Sequence, residues 1–236
     1  MPSLILLYHF HNVAQRTLYD YRGRDGTGTA DSPATGSNMQ SYVVRKLADG
    51  NCWMAENLQL NLSTSHSYKV GTFDGGEADW TPNQTTSDNS YNYAITADST
   101  SDVAVIDYRN IQHNNWSYTW HAAVAANSDT RSIYSYTSTQ SICPKGWRLP
   151  PYSNNKSFYN LITTKYGLST GSAINNDPLN FYPTKNSSST NAYAGFYWSA
   201  SEKDNDNAFS MTLTDNYVSS NYSLKYATYS VRCVSL

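Results

Sequence analysis

The residues best suited to chemistry lie near the end of the chain, between Tyr197-Trp198-Ser199 and Val231-Arg232-Cys233-Val234. From Lys203 to Ser230, nineteen of twenty-eight residues are Asn, Asp, Ser, Thr or Tyr. Such side chains do not make a nucleophile or an acid–base pair by themselves. They suit binding: tyrosine offers large contact area at low entropy cost, and serine and asparagine offer adaptable hydrogen bonds. The candidate ligand-binding residues are Asp204, Asp206, Ser210, Thr212, Thr214, Asn216, Tyr217, Ser219, Asn221, Tyr222, Tyr226, Thr228 and Tyr229. Phe209, Met211 and Leu213 alternate with Ser210, Thr212 and Thr214, so a strand here would bury the first set and expose the second.

Other constellations lead less far. Asp204-Asn205-Asp206-Asn207 is a cluster of hard oxygen donors of the kind calcium takes, and a polar turn is the alternative reading. His9 and His11 form an HxH pair without further ligands, and His66, His113 and His121 have no Ser or Asp partner at motif spacing. The glycine-rich stretch Gly23 to Gly28 lacks the Lys-Ser/Thr ending of a phosphate loop. Glu56 sits in an apolar island and needs a partner if buried, which makes Arg148 or Arg232 a candidate for a structural ion pair. No metal site, cofactor or catalytic residue is expected.

Cysteine usage leaves a choice. Cys52, Cys143 and Cys233 are an odd number, so at least one thiol stays unpaired within the chain. Either two of them form a disulfide or all three are buried thiols; no close Cys/His spacing suggests zinc.

The elements that must position the tail are strands. The chain has 236 residues, 14% charged and 14% aromatic, with 21 tyrosines and a net charge of -2. That aromatic content argues against disorder. The absence of a basic stripe argues against nucleic-acid binding. No stretch reaches the ~20 apolar residues of a membrane helix, so membrane insertion is not expected, and Leu4-Ile5-Leu6-Leu7 is too short for a signal-peptide core. The profile fits a β-rich domain of secreted or cell-surface type.

Along the chain, Thr17–Tyr21 and Tyr42–Leu47 read as paired strands around a long exposed loop, Arg22 to Asn38. Asp49-Gly50 marks a turn, and residues 61–101 read as mostly irregular surface. The alanines from Ala122 to Ala126 suggest a short, closely packed segment. Ser153 as cap, then Phe158, Leu161, Ile162 and Lys165, predict a helix that Gly167 stops.

Five islands, taken in order, resemble a known family. They are Gly50-x-x-Trp53-Met54-x-Glu56-Asn57-Leu58, Tyr118-x-Trp120-x-Ala122-Ala123, Cys143-Pro144-x-Gly146-Trp147-Arg148-Leu149-Pro150, Tyr197-Trp198-Ser199 and Val231-Arg232-Cys233-Val234. The pattern resembles the Fibrobacter succinogenes major paralogous domain of bacterial surface and secreted proteins, over about residues 40 to 235. The resemblance implies an α+β, C-type-lectin-like fold related to formylglycine-generating enzymes, with a small antiparallel sheet, two helices and long irregular loops. It implies a domain over residues 40–236, with a ligand-display segment at 199–230, preceded by a lead and loop at 1–39.

It also implies a Cys143–Cys233 disulfide, which leaves Cys52 as a buried free thiol beside Trp53. Formylglycine-generating enzymes use a reactive cysteine pair near the C-terminus; only Cys233 lies there, so no enzyme activity is expected. Domains of this fold also serve as variable proteins of diversity-generating retroelements. Adenine-directed mutagenesis there turns Asn codons into Tyr, Asp, Ser, Thr and Ala, the alphabet of this tail. The expected function is a ligand-binding surface module facing a protein or glycan target. The alternatives are a structural or adhesin-like surface domain, or a calcium-dependent glycan-binding lectin, although the Glu-Pro-Asn and Trp-Asn-Asp signatures of such lectins are absent.

Overall fold

Alternation of apolar and polar residues sets up the first sheet. A computed structural model describes residues 15–62, 66–82, 96–97, 105–106, 112–113, 116–126, 139–152, 157–169, 184–185, 193–214 and 216–236. Strand β1 (Gln15–Asp20) runs antiparallel to β2 (Gln40–Lys46), with Gln15 opposite Arg45 and Asp20 opposite Gln40. In β2 the alternate residues Tyr42 and Val44 point into the core. The Asp49-Gly50 turn then brings β3 (Cys52–Met54) back against β2. Both strands of the expected first hairpin are therefore present.

The boundary drawn from sequence between the lead and the domain falls between residues 39 and 40. β1 pairs directly across that point, and Arg22, placed in an exposed loop by sequence, is fully buried. Its guanidinium donates to Asp20 at 2.8 and 2.7 Å and to the Lys69 and Ile142 carbonyls at 2.8 and 3.0 Å. A buried cation so fully satisfied ties β1 to two later parts of the chain. His9 and His11 lie outside the described residues.

The stretch after residue 61 also departs from the irregular surface expected of it. Strands β4 (Tyr68–Thr72) and β5 (Glu77–Trp80) form a hairpin that buries Tyr68, Val70 and Trp80. Asp74 and Gly75 make its turn, where Gly75 has φ +89. Gly71 lies against the Pro144 and Trp147 carbonyls; a Cβ there would come within 2.7 Å of both, so only glycine fits.

Short ladders follow: β6 (Thr96–Ala97) with β9 (Trp116–Ser117), and β7 (Val105–Ile106) with β8 (Gln112–His113). Helix α1 (Trp120–Ala123) is capped by Thr119, whose hydroxyl accepts from the Ala122 N–H. It is buried on all sides, as its alanines predict. β10 (Gln140–Ser141) adds to β4, and β11 (Trp147–Arg148) reaches the sheet that holds β1.

Helix α2 (Phe158–Asn160) continues as a π turn through Lys165. Ser157 caps it, accepting from Asn160 N–H at 3.1 Å; Ser153, the cap expected from sequence, lies outside the described residues. Gly167, at φ +64, ends the helical run where predicted.

The chain closes with β12 (Thr184–Lys185), β13 (Tyr193–Glu202), β14 (Asn207–Thr214), β15 (Val218–Leu224) and β16 (Val234–Ser235). β12 to β15 form an antiparallel sheet in sequence order. β16 instead inserts between β3 and β11, giving a five-stranded order β1-β2-β3-β16-β11. Among the described residues the architecture is α+β, strand-rich, with small antiparallel sheets and two short helices.

Cys143 and Cys233 are bonded, with Cα atoms 5.9 Å apart and a sequence separation of 90. Closing so long a loop contributes about 4 kcal/mol on the chain-entropy model. Cys52 is free but half-exposed rather than buried, because its strand presents it away from the neighbouring Trp53, which is fully covered.

Candidate functional site

Register decides what the tail can present. β13, β14 and β15 pair so that Trp198 faces Ser210 and Ser210 faces Asn221, while Phe196, Thr212 and Ser219 form the adjacent row. These residues share one face of the sheet. Tyr197, Met211 and Ser220 share the other, together with Phe209 and Tyr222. Helix α2 covers much of that second face, packing Phe158, Leu161 and Ile162 against Tyr197, Met211 and Leu213.

The first face is not the exposed display that alternation alone predicts. Ser210 is 2% and Thr212 8% exposed. β14 is a central strand, so neighbours flank it on both sides. Tyr229 stacks on Phe196 at 4.9 Å and leans on Trp198 at 4.4 Å, and its hydroxyl donates to Ser223 at 2.8 Å. Tyr229 is therefore half-buried scaffold. Thr214, Ser219 and Thr228 are half-buried as well.

What remains exposed is the outer hairpin. Tyr217, Tyr222 and Tyr226 are 50%, 48% and 46% exposed, and Asn216 and Asn221 are exposed beside them. The tip is built locally: Thr214 N–H donates to Tyr217 O at 2.9 Å and Tyr217 N–H to Thr214 Oγ1 at 3.1 Å. Asn221 Oδ1 accepts from Tyr222 N–H. Lys203 Nζ lies over the Tyr222 ring.

The acidic cluster is a turn. Asp204 Oδ1 accepts from the Asp206 N–H, the Asn207 N–H and Asn207 Nδ2 at 3.0, 2.8 and 2.8 Å. Burial alone would raise its carboxyl, but Asn207 and Asp206 outweigh that and hold it below the ordinary carboxylate value. An oxygen already accepting three donors is poorly placed to serve calcium as well. Asp206 is exposed at the same turn.

Behind that turn lies a pair that sequence reasoning passed over. Lys225 and Glu202 are both buried and bonded to each other, and Lys225 Nζ also donates to the Asn205 carbonyl at 2.9 Å. The ammonium sits 5.0 Å from the Trp120 ring centroid. Burial pushes the Glu202 carboxyl up against the pull of Lys225. The available signal was a lone lysine in a run of small polar residues, with one glutamate across the hairpin.

Elsewhere the candidate residues resolve as structure. Glu56 accepts the Val43 N–H at 2.6 Å, while Arg232 donates to Asn57 Oδ1 at 3.1 and 2.8 Å and Arg148 lies over the Phe73 ring. The expected ion pair of Glu56 with either arginine gives way to a backbone contact. His66 Nε2 is 2.9 Å from Gly26 O, and His121 is buried edge-on to Trp120. Cys233 is held in the disulfide. Among the described residues no group of three or more His, Cys, Asp or Glu is arranged to hold a metal ion, and no helix is long and apolar enough to cross a membrane.

Compared with known protein families, curated proteins and solved structures, the chain finds no match.

Proposed function

We propose that this protein is a C-type-lectin-like ligand-binding module of the cell surface or secreted space, and that the hairpin β14–β15 with the following turn presents its binding surface. The observation that carries this reading is the exposure of Tyr217, Tyr222 and Tyr226 on a hairpin whose base is locked. The buried Lys225–Glu202 pair stands at the foot of that hairpin, with Lys225 directly after β15 and directly before Tyr226. Half-exposed tyrosines over a fixed frame are poor for stability and good for recognition, since interface tyrosines carry a large share of binding energy. The exposed positions also have the residue alphabet of a retroelement-diversified segment, and we include that origin in the proposal.

The test is a triple variant, Tyr217→Ala with Tyr222→Ala and Tyr226→Ala, compared with the parent on an array of immobilised glycans and surface proteins. The parent is expected to be retained on at least one target, the variant to lose at least tenfold in signal there, and its Tm to stay within a few degrees. A Tm drop as large as a core truncation gives would mean that those rings are packing, and the reading would fail. For the origin, the encoding DNA is expected to hold a near-copy of the hairpin segment that differs at adenines, beside a reverse transcriptase.

A further inference from the structure

Arginines that this fold covers are supplied with acceptors, with one exception. Arg22 donates to Asp20 and to two backbone carbonyls, and Arg232 donates twice to Asn57 Oδ1. Arg45, half-buried, gives Nη2 to Gln15 Oε1 at 3.0 Å. Arg148 is half-buried as well, yet its Nε is covered and bonded to nothing. Nη1 and Nη2 are not closed off in this way, so the outer fork of the guanidinium reaches solvent. No carboxylate among the described residues comes within ion-pair distance of it. Asp74, beside Phe73 in sequence, is already engaged by the Thr72 hydroxyl and the Gly76 N–H.

The group is nonetheless held in place. Its central carbon lies 5.1 Å from the centroid of the Phe73 ring, a seat that fixes the plane without using the outer N–H groups. Both partners sit on fixed backbone. The Phe73 N–H donates to Thr139 O at 2.8 Å, and on either side of Arg148 the Trp147 N–H donates to Pro144 O and the Leu149 N–H to Ser141 Oγ. Burial draws the guanidinium below the ordinary arginine value, and no acid offsets it. A pre-positioned cation without a counter-charge suits an anion, and the shape of the fork selects among anions. Two parallel N–H groups and one charge complement the two oxygens and one charge of a carboxylate. A phosphate group, with three oxygens and up to two charges, leaves part of itself unmatched here.

We infer that Arg148 is a carboxylate-binding site, in which the outer fork of a guanidinium seated on the Phe73 ring takes both oxygens of a carboxylate. The carboxylate is either a free small acid or an acidic side chain carried on a peptide. β11, which bears Arg148, belongs to a different sheet from the tyrosine hairpin, and the site stands whether or not that hairpin is a display surface. A single fork at a half-exposed position binds weakly, at roughly millimolar concentrations, so the probes are used in excess.

The experiment is proton–nitrogen NMR of the arginine Nε–H groups in the isotope-labelled whole protein. Cover over the Arg148 Nε slows exchange of its proton with water and keeps the signal visible, and the bonded Arg22 and Arg232 serve as internal standards. Sodium acetate and N-acetyl-L-glutamate α-methylamide are added in turn, against sodium chloride and sodium phosphate at equal ionic strength. The Arg148 signal is expected to move and saturate while those of Arg22 and Arg232 hold still. Saturation by acetate means that a free acid suffices, and saturation by the glutamate derivative alone means that the carboxylate is peptide-borne; each supports the site. Arg148→Lys keeps the charge without the fork and is expected to weaken binding about tenfold, read from the Trp147 and Leu149 amide shifts. Movement no greater than chloride gives, movement shared by Arg22 and Arg232, saturation by phosphate alone, or equal binding by Arg148→Lys overturns the site. The parent titration decides the matter should Arg148→Lys fail to fold.

Discussion

β14 and β15 lie side by side, draw on the same residue alphabet, and meet opposite fates. β14 carries Ser210, Thr212 and Thr214 between apolar residues, and from Ala208 to Leu213 every residue but Phe209 is buried. β15 carries Ser219, Ser220, Asn221, Tyr222 and Ser223, and no residue in it is buried. The two are paired over seven positions, from Asn207 opposite Leu224 to Leu213 opposite Val218. Place in the sheet separates them: β14 is flanked by β13 and β15, whereas β15 has β14 on one side only. A central strand in a sheet covered by α2 and by the Tyr229 stack has no free face, whatever its composition. An edge strand of the same composition stays wet.

That contrast can be broken at its base first. Lys225 follows β15 directly, yet it is as buried as anything in β14. Lys225→Ala is expected to cost about 4 kcal/mol, because it strands the Glu202 carboxyl in a dry site. The double change Lys225→Met with Glu202→Leu is expected to recover most of that loss, as measured by urea unfolding. Equal losses in the single and double variants would show that the pair is not the anchor of the hairpin.

A matched pair of truncations measures the contrast itself. Leu213→Ala removes a fully covered side chain from β14 and is expected to cost about 3 kcal/mol. Leu224→Ala, at a side chain 41% exposed at the far end of β15, is expected to stay within about 0.5 kcal/mol. Similar values from the two would mean that β15 is covered in solution.

The smallest effect is a pH response at the turn between β13 and β14. The donors around Asp204 hold its carboxyl below the ordinary value of 3.8, so its stabilising contribution is complete above that value. It is lost as pH falls through the lower folded value. Asp204→Asn is expected to remove this part of the acid limb. Tm recorded from neutral pH into the acid range should then fall less steeply for the variant than for the parent. Parallel curves would place the acid sensitivity elsewhere.

Much of the scaffold was legible because its signals are local. Alternation marks β1 and β2, the alanine run marks α1, and Gly167 marks the end of the helical run. The β4–β5 hairpin was hidden inside a polar stretch, since three residues, Tyr68, Val70 and Trp80, do its burying. The burial of Ser210 and Thr212 was not readable either. Whether a polar strand face is wet depends on which strands flank it and on a tyrosine at position 229, and neither is a property of the segment. Lys225 and Glu202 are 23 residues apart and meet only through the hairpin, so no spacing rule connects them.

The position of β16 has a consequence for truncated chains. It follows every other described strand in the sequence, yet it lies between β3 and β11. Cys233, which the bond to Cys143 requires, directly precedes it. A premature stop or frameshift anywhere in the hairpin therefore removes an interior strand and half of the disulfide together. Without β16 nothing joins β11 to β3, whereas an in-frame exchange of one exposed residue leaves both the strand and the bond in place.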